Sequence, residues 1–134
     1  MDSAEVRLRT GRRWALDVTD EVAAFTADKG DGLCHLFLPH ATAGLALIEL
    51  GSGTEDDLLE AVEEMLPRDR RYRHAHGSPG HGRDHVLPAF VSPSLVLAVE
   101  SGHLVLGTWQ RVVLIDPNLD NPDRRLLLHF LPAG

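Results

Sequence analysis

The sequence has a single cysteine, Cys34, so no intrachain disulfide framework holds it together. It has no apolar run near the roughly twenty residues that span a bilayer, and Met1-Asp2-Ser3-Ala4-Glu5 is acidic and polar where a secretory leader is basic and then apolar. A soluble cytoplasmic protein with no membrane partner is expected. Basic residues are in the minority, 13 against 20 acidic, and the formal charge of -7 lacks the sign needed to hold nucleic acid, so no nucleic-acid partner is expected. The strong local metal signatures are missing too: there is no His-Glu-x-x-His helix and no cysteine pair.

What is present is one domain's worth of chain. A compact domain of 134 residues hides roughly two thirds of its unfolded surface, enough for one real core. Glu5 to Arg9 and Trp14 to Val18 flank Gly11-Arg12-Arg13 and read as a hairpin. Thr19 and Asp20 offer cap oxygens to a short helix that stops at Gly30, and the dense apolar run Gly32 to Leu38 reads as a buried strand. Within that strand Cys34 is favoured as a structural thiol and His35 as a satisfied core histidine. Leu45 to Leu50 resumes as a strand. Thr54 to Leu66 is the clearest helix, with Thr54 as cap, acids in its first turn, a stripe of Leu58, Leu59, Val62, Met65 and Leu66, and Pro67 as its end. A short helix over His85 to Val91, strands at Leu95 to Glu100 and Leu104 to Ile115, and a last strand at Arg125 to Leu131 complete the reading. With too few βαβ alternations for a doubly wound sheet, the fold class is α+β: a single domain of largely antiparallel, sandwich-like sheets and two main helices.

Eight histidines are many for this length, and His40, His74, His76, His81 and His85 all fall beside glycines, prolines or strand ends, where sites are built. His76 and His81 lie in a Gly-rich stretch and read first as solvated loop. His40, His74 and His85 border structured elements and stand evenly between site and scaffold. Neutral imidazoles suit zinc and other borderline metals. Glu49 closes an apolar run, where a partly buried carboxylate would titrate high enough to move protons. Thr42 and Thr108 are small donors beside Gly44 and Gly107, Trp109 is core by default, and Gln110 adds an amide on the polar face of the same strand. Four arginines within Arg68 to Arg73 read first as a solvated loop and second as a contact for the phosphate of a small ligand, and Arg124-Arg125 could form an anion clamp.

In order, the chain carries Pro39-His40-Ala41-Thr42-Ala43-Gly44-Leu45, Glu49, Asp57-Leu58, Tyr72-Arg73-His74, His85, Gly102-x-Leu104-x-Leu106-Gly107-Thr108-Trp109-Gln110 and Arg124-Arg125. This ordered set resembles the YjbQ-like family, often labelled secondary thiamine-phosphate synthase, from about Gly32 to the C-terminus. The resemblance implies an α+β domain assembled as a homotrimer with sites close to subunit boundaries. It also implies a feeble synthase activity that joins hydroxymethylpyrimidine diphosphate to a thiazole phosphate with loss of diphosphate. By motif position it places His40, Glu49, His74, His85, Thr108, Trp109, Gln110 and Arg125 at the site. This chain departs from the family pattern at Ile48, where Asn is usual, at His76, where an acid is usual, and at His81-Gly82-Arg83-Asp84, where Asn-Ser-Asp-Ala is usual.

The expected site is thus a pocket for a small phosphorylated metabolite. His40, His74 and His85 hold a divalent metal, zinc before magnesium. His40, Glu49 and Gln110 are the candidate catalytic groups, and Thr42, Thr108, Trp109 and Arg125 bind the ligand. Two rival readings stand beside a transferase: a non-catalytic trimeric module that binds metal or a phosphometabolite, and a metal-assisted phosphate-ester hydrolase.

Overall fold

A computed structural model describes residues 1–134. In chain order its elements are β1 (Asp2–Arg9), β2 (Ala15–Asp17), α1 (Thr19–Thr26), β3 (Gly32–Phe37), β4 (Gly44–Ile48), α2 (Thr54–Met65), α3 (His81–Asp84), a 3-10 turn (Leu87–Ala89), β5 (Ser94–Glu100), β6 (His103–Leu104), β7 (Arg111–Ile115) and β8 (Asp123–Pro132). The strands form two antiparallel sheets, one of five in the order β1-β8-β3-β5-β6 and one of three in the order β2-β7-β4. The α+β class and the antiparallel sheets are as expected, with a third, one-turn helix added.

Strand β7 shows how the layers are made. Its alternate residues Val112 and Leu114 face the large sheet and meet Cys34, Leu36, Leu97, Leu126 and Leu128, together with Val22 of α1. Val113 and Ile115 point the other way, onto Val62 and Leu66 of the α2 layer and Leu87 of the 3-10 turn. The small sheet is covered on both faces, which is why its central strand is a continuous apolar run rather than an alternating one. The far face of the large sheet has no such cover: Leu33, Val96 and Leu131 are exposed there. Cys34 sits wholly inside the main core, and burial pushes its thiol up to about 11, as befits a structural thiol.

Two buried charges tie the layers together. Arg124 of β8 donates from Nε and Nη2 to Asp116 at 2.6 and 3.0 Å, and from Nη2 to the Thr42 hydroxyl at 2.9 Å. The pair is nearly solvent-free, so its hydrogen bonds offset the cost of burying both ions.

Several expectations are corrected. The proposed first hairpin does not form: β1 pairs with β8 and β2 with β7. Gly11, at φ 58°, turns the chain from one sheet to the other, and Thr10 is held below it by two bonds to the Pro122 carbonyl. The long strand over Leu104 to Ile115 is broken, because the Gln110 side-chain oxygen accepts from the Gly107 N–H at 2.7 Å and closes a turn. The helix expected over His85 to Val91 lies earlier, at α3, with only a 3-10 turn after it. Thr54 is the first helical residue, Gly53 takes the cap position, and Met65, expected in the apolar stripe, is 47% exposed.

Candidate metal centre

The site begins with helical geometry. His81 opens α3 and His85 follows its last residue, so the two are four apart on one turn and share a face. Their Nε2 atoms lie 3.0 Å apart. His74 reaches them from the preceding loop, whose course is set by the Tyr72 hydroxyl donating to the Pro67 carbonyl at 2.9 Å and by Gly82. A Cβ on Gly82 would collide with the His74 carbonyl oxygen and stand 2.8 Å from the Tyr72 Cβ, so only glycine lets the loop lie flat on α3. The His74 ring then stacks on His85 at 4.0 Å, and one ring nitrogen each from His74, His81 and His85 all lie within 4.8 Å of one another. His76 stands 4.2 Å from His74, centroid to centroid.

A layer of polar groups orients this cluster. His81 Nδ1–H donates to Asp120 at 2.6 Å, which leaves its Nε2 lone pair facing His85. Asp120 also accepts from the Ser78 N–H, and its bonds to Ser78 and to His81 hold its carboxyl below the ordinary range. The Asp120 N–H donates to the Asn118 side-chain oxygen, and the Asn118 amide donates to Asp84 at 3.1 Å. Asp84 in turn accepts from the fully buried Arg83, which also donates to the Leu66 carbonyl and thereby pins α3 to the end of α2.

Burial, and then the charge that neighbouring histidines would carry, holds His74 and His85 below the ordinary histidine value. They are neutral near pH 7, the form that binds metal. His74 Nε2 is buried and has no hydrogen-bond partner. In a tetrahedral zinc site with bonds of about 2.0–2.1 Å, nitrogens stand about 3.3 Å apart. The His81–His85 pair is already near that spacing, and the third nitrogen closes by on the order of 1 Å of side-chain adjustment. An orphaned imidazole nitrogen beside two others fits a borderline metal better than an oxygen-loving one. A cleft of about 300 Å³ opens here, lined by Arg68, Arg70 and Arg71 as well as by His74, His76 and His81.

A family model described as UPF0047 protein YjbQ-like matches residues 4–133. The chain belongs to this family. A UPF0047 protein of Mycobacterium tuberculosis strain H37Rv is 53% identical over 131 residues, covering 98% of both chains. One from Archaeoglobus fulgidus is 33% identical over 92% of this chain and 96% of its own. Among solved structures, a hypothetical protein from Aeropyrum pernix K1 superposes with a TM-score of 0.88 at 28% identity over 99% of this chain and all of that one. An uncharacterised conserved protein of the yjbq/upf0047 family from Clostridium acetobutylicum gives 0.84 at 26% identity, over 96% and 99% of the two chains.

In this YjbQ-like chain the sequence-predicted residues fall in several places. His74 and His85 are together, and His81 completes the group in the position expected of His40. His40 lines a separate cleft of about 380 Å³ with Arg7, Arg9, Arg124 and Arg125, where its Nε2 accepts the Arg125 N–H at 3.0 Å and burial and the Arg124 charge hold it low. Thr42 is committed to Arg124. Arg125 is an exposed guanidinium 3.8 Å from Glu5. Glu49 accepts from Ser52 at 3.0 Å in the turn before α2. Thr108, Trp109 and Gln110 form the Gly107 turn, where Trp109 is 71% exposed instead of core, because a turn has no buried face.

Sequence reasoning missed His81, Asn118 and Asp120. The His81-x-x-x-His85 spacing was the available signal for the first. Asp120 and Asn118 read only as turn residues, since their partners lie some forty positions away.

Proposed function

We propose that this protein is a zinc-dependent transferase for small phosphorylated substrates, with His74, His81 and His85 as the metal ligands and Arg68, Arg70 and Arg71 as the phosphate-binding wall. The observation that carries it is the buried, unpartnered His74 nitrogen beside the 3.0 Å pair of imidazoles. The reaction we assign is the one the family resemblance implies: hydroxymethylpyrimidine diphosphate and thiazole phosphate combine, and diphosphate leaves. His74, His81 and His85 would hold the zinc, which would supply positive charge near the departing oxygens, and Arg68, Arg70 and Arg71 would supply the rest.

His40, Glu49 and Gln110 remain the proposed proton-handling and hydrogen-bonding groups. In a single subunit they line other surfaces, so this reading calls for a homotrimer in which a neighbouring copy brings them to the histidines. The exposed Trp109 and Phe90 support such association. The test is turnover of the pyrimidine diphosphate with and without chelator. Activity that needs zinc and is lost in His74→Ala and Glu49→Ala supports the reading. Mixing those two variants should restore part of it, and full activity in either variant alone overturns the assignment.

One observation favours a second reading. Glu49 is tied to Ser52 and Gln110 to its own turn, and no carboxylate lines the cleft within one subunit. In that case the site binds a phosphorylated ligand without turning it over, and thermal stabilisation by metal and phosphometabolites without any product is the expected signature. Release of inorganic phosphate from the pyrimidine diphosphate, seen by phosphorus NMR, would instead mark a hydrolase.

A further inference from the structure

A second pair of histidines lies on the uncovered face of the large sheet. His35 of β3 and His129 of β8 are directly opposite in the antiparallel register. Their rings stack at 5.4 Å and 22°, and the two Nδ1 atoms are 3.3 Å apart. Both side chains are half-buried, in a shallow cleft of about 420 Å³ whose other walls are Met1, Leu33, Val96 and Leu131.

We infer that the His35–His129 pair is a second transition-metal site, a two-imidazole chelate for zinc, copper or nickel, independent of the site on α3. The bite suits a tetrahedral ion: two nitrogens bound at about 2.0–2.1 Å to such a centre stand about 3.3–3.4 Å apart, close to the 3.3 Å between these Nδ1 atoms. His35 Nε2 lies 2.9 Å from the Ser94 hydroxyl, and in the tautomer whose N–H that hydroxyl accepts, the Nδ1 lone pair faces His129. Register does the positioning, because cross-strand partners are held by backbone hydrogen bonds and need little side-chain ordering on binding. The apolar walls shield the ion, while the open side of the cleft leaves its remaining positions to water or a small ligand. Imidazole donors select borderline divalent ions over magnesium and calcium.

Zinc stoichiometry, measured by equilibrium dialysis and elemental analysis, tests this. His35→Gln and His129→Gln should each bind one equivalent fewer than the unsubstituted protein while keeping the equivalent that His74→Ala loses. Equal stoichiometry in all three of the unsubstituted, His35→Gln and His129→Gln proteins overturns the inference, whatever happens at His74. Should a Gln variant fail to fold, the nitrogen NMR signals of the unsubstituted protein decide. Zinc saturation should shift the Nδ1 resonances of His35 and His129, and unmoved signals overturn it. A copper EPR spectrum in the His74→Ala, His81→Ala background should show coupling to two nitrogens, and a spectrum unchanged by His129→Gln counts against the pair.

Discussion

Gly82→Ala separates the stability of this fold from the assembly of its histidines. Gly82 is buried in α3 with an ordinary helical backbone, so alanine by itself favours the helix by up to about 1 kcal/mol. Against that, its Cβ overlaps the His74 carbonyl and presses on Tyr72, and overpacking of this kind costs about 1–3 kcal/mol. The contact is with backbone, which cannot rotate away, so the loop must lift. A net destabilisation of about 0–2 kcal/mol is expected in urea denaturation. The larger effect falls on the site. Lifting the Tyr72–His74 segment draws His74 from His85 into water, so its titration, followed by NMR, should move up towards the ordinary histidine value. Calorimetric zinc binding should weaken in step. A Gly82→Ala protein with wild-type histidine titration and wild-type zinc affinity would refute the claim that this glycine sets the His74 position.

Three further outcomes are expected. His74 and His85 titrate below the ordinary value, so the unfolded chain takes up protons that the folded chain refuses. The stability linked to them is complete above about pH 6.5 and is lost as the pH falls through their folded values. The urea midpoint should therefore fall between pH 7 and pH 5 by less in a His74→Gln, His85→Gln double variant than in the unsubstituted protein. Asp116→Asn leaves Arg124 buried without its counter-ion and should cost about 3–5 kcal/mol in urea denaturation, and a loss under about 1 kcal/mol would contradict the pairing. Asp120→Ala removes the acceptor that orients His81 and should lower zinc affinity about 10–100-fold by calorimetry while leaving the thermal midpoint of the metal-free protein near wild type.

How far the sequence was legible depended on how local the cause was. Strands β3, β4, β5 and β8 and helix α2 were readable because their apolar runs and their Gly and Pro boundaries lie within each segment. Pairing was not: Gly11 announces a turn, but nothing near it tells that the turn changes sheets. The broken strand before β7 rests on one side chain, Gln110, folding back onto its own loop, a competition that alternation of polar and apolar residues does not register. At the site, His74 and His85 stood out beside structured elements. His81 was hidden by Gly80 and Gly82, which argue against helix, although Gly82 is what makes room for the cluster. His40 carried the same signals as His74, but it accepts the Arg125 N–H near the start of β8 and lines a cleft apart from the histidine cluster, a distinction that only the tertiary structure makes.

That sheet order has a consequence for how the chain comes off the ribosome. Strand β8 lies between β1 and β3, so until residues 123–132 have been made, the first strand has no neighbour and the third has an open edge. At about 5–20 residues per second, that interval lasts roughly 6–25 s. Throughout it, Leu36, Cys34 and Val6 have no completed sheet to pack within, and the nascent chain is a ready client for a holding chaperone. Folding should then follow synthesis as one late, cooperative event, timed by the arrival of a strand that also carries Arg124, the ion that locks the two sheets together.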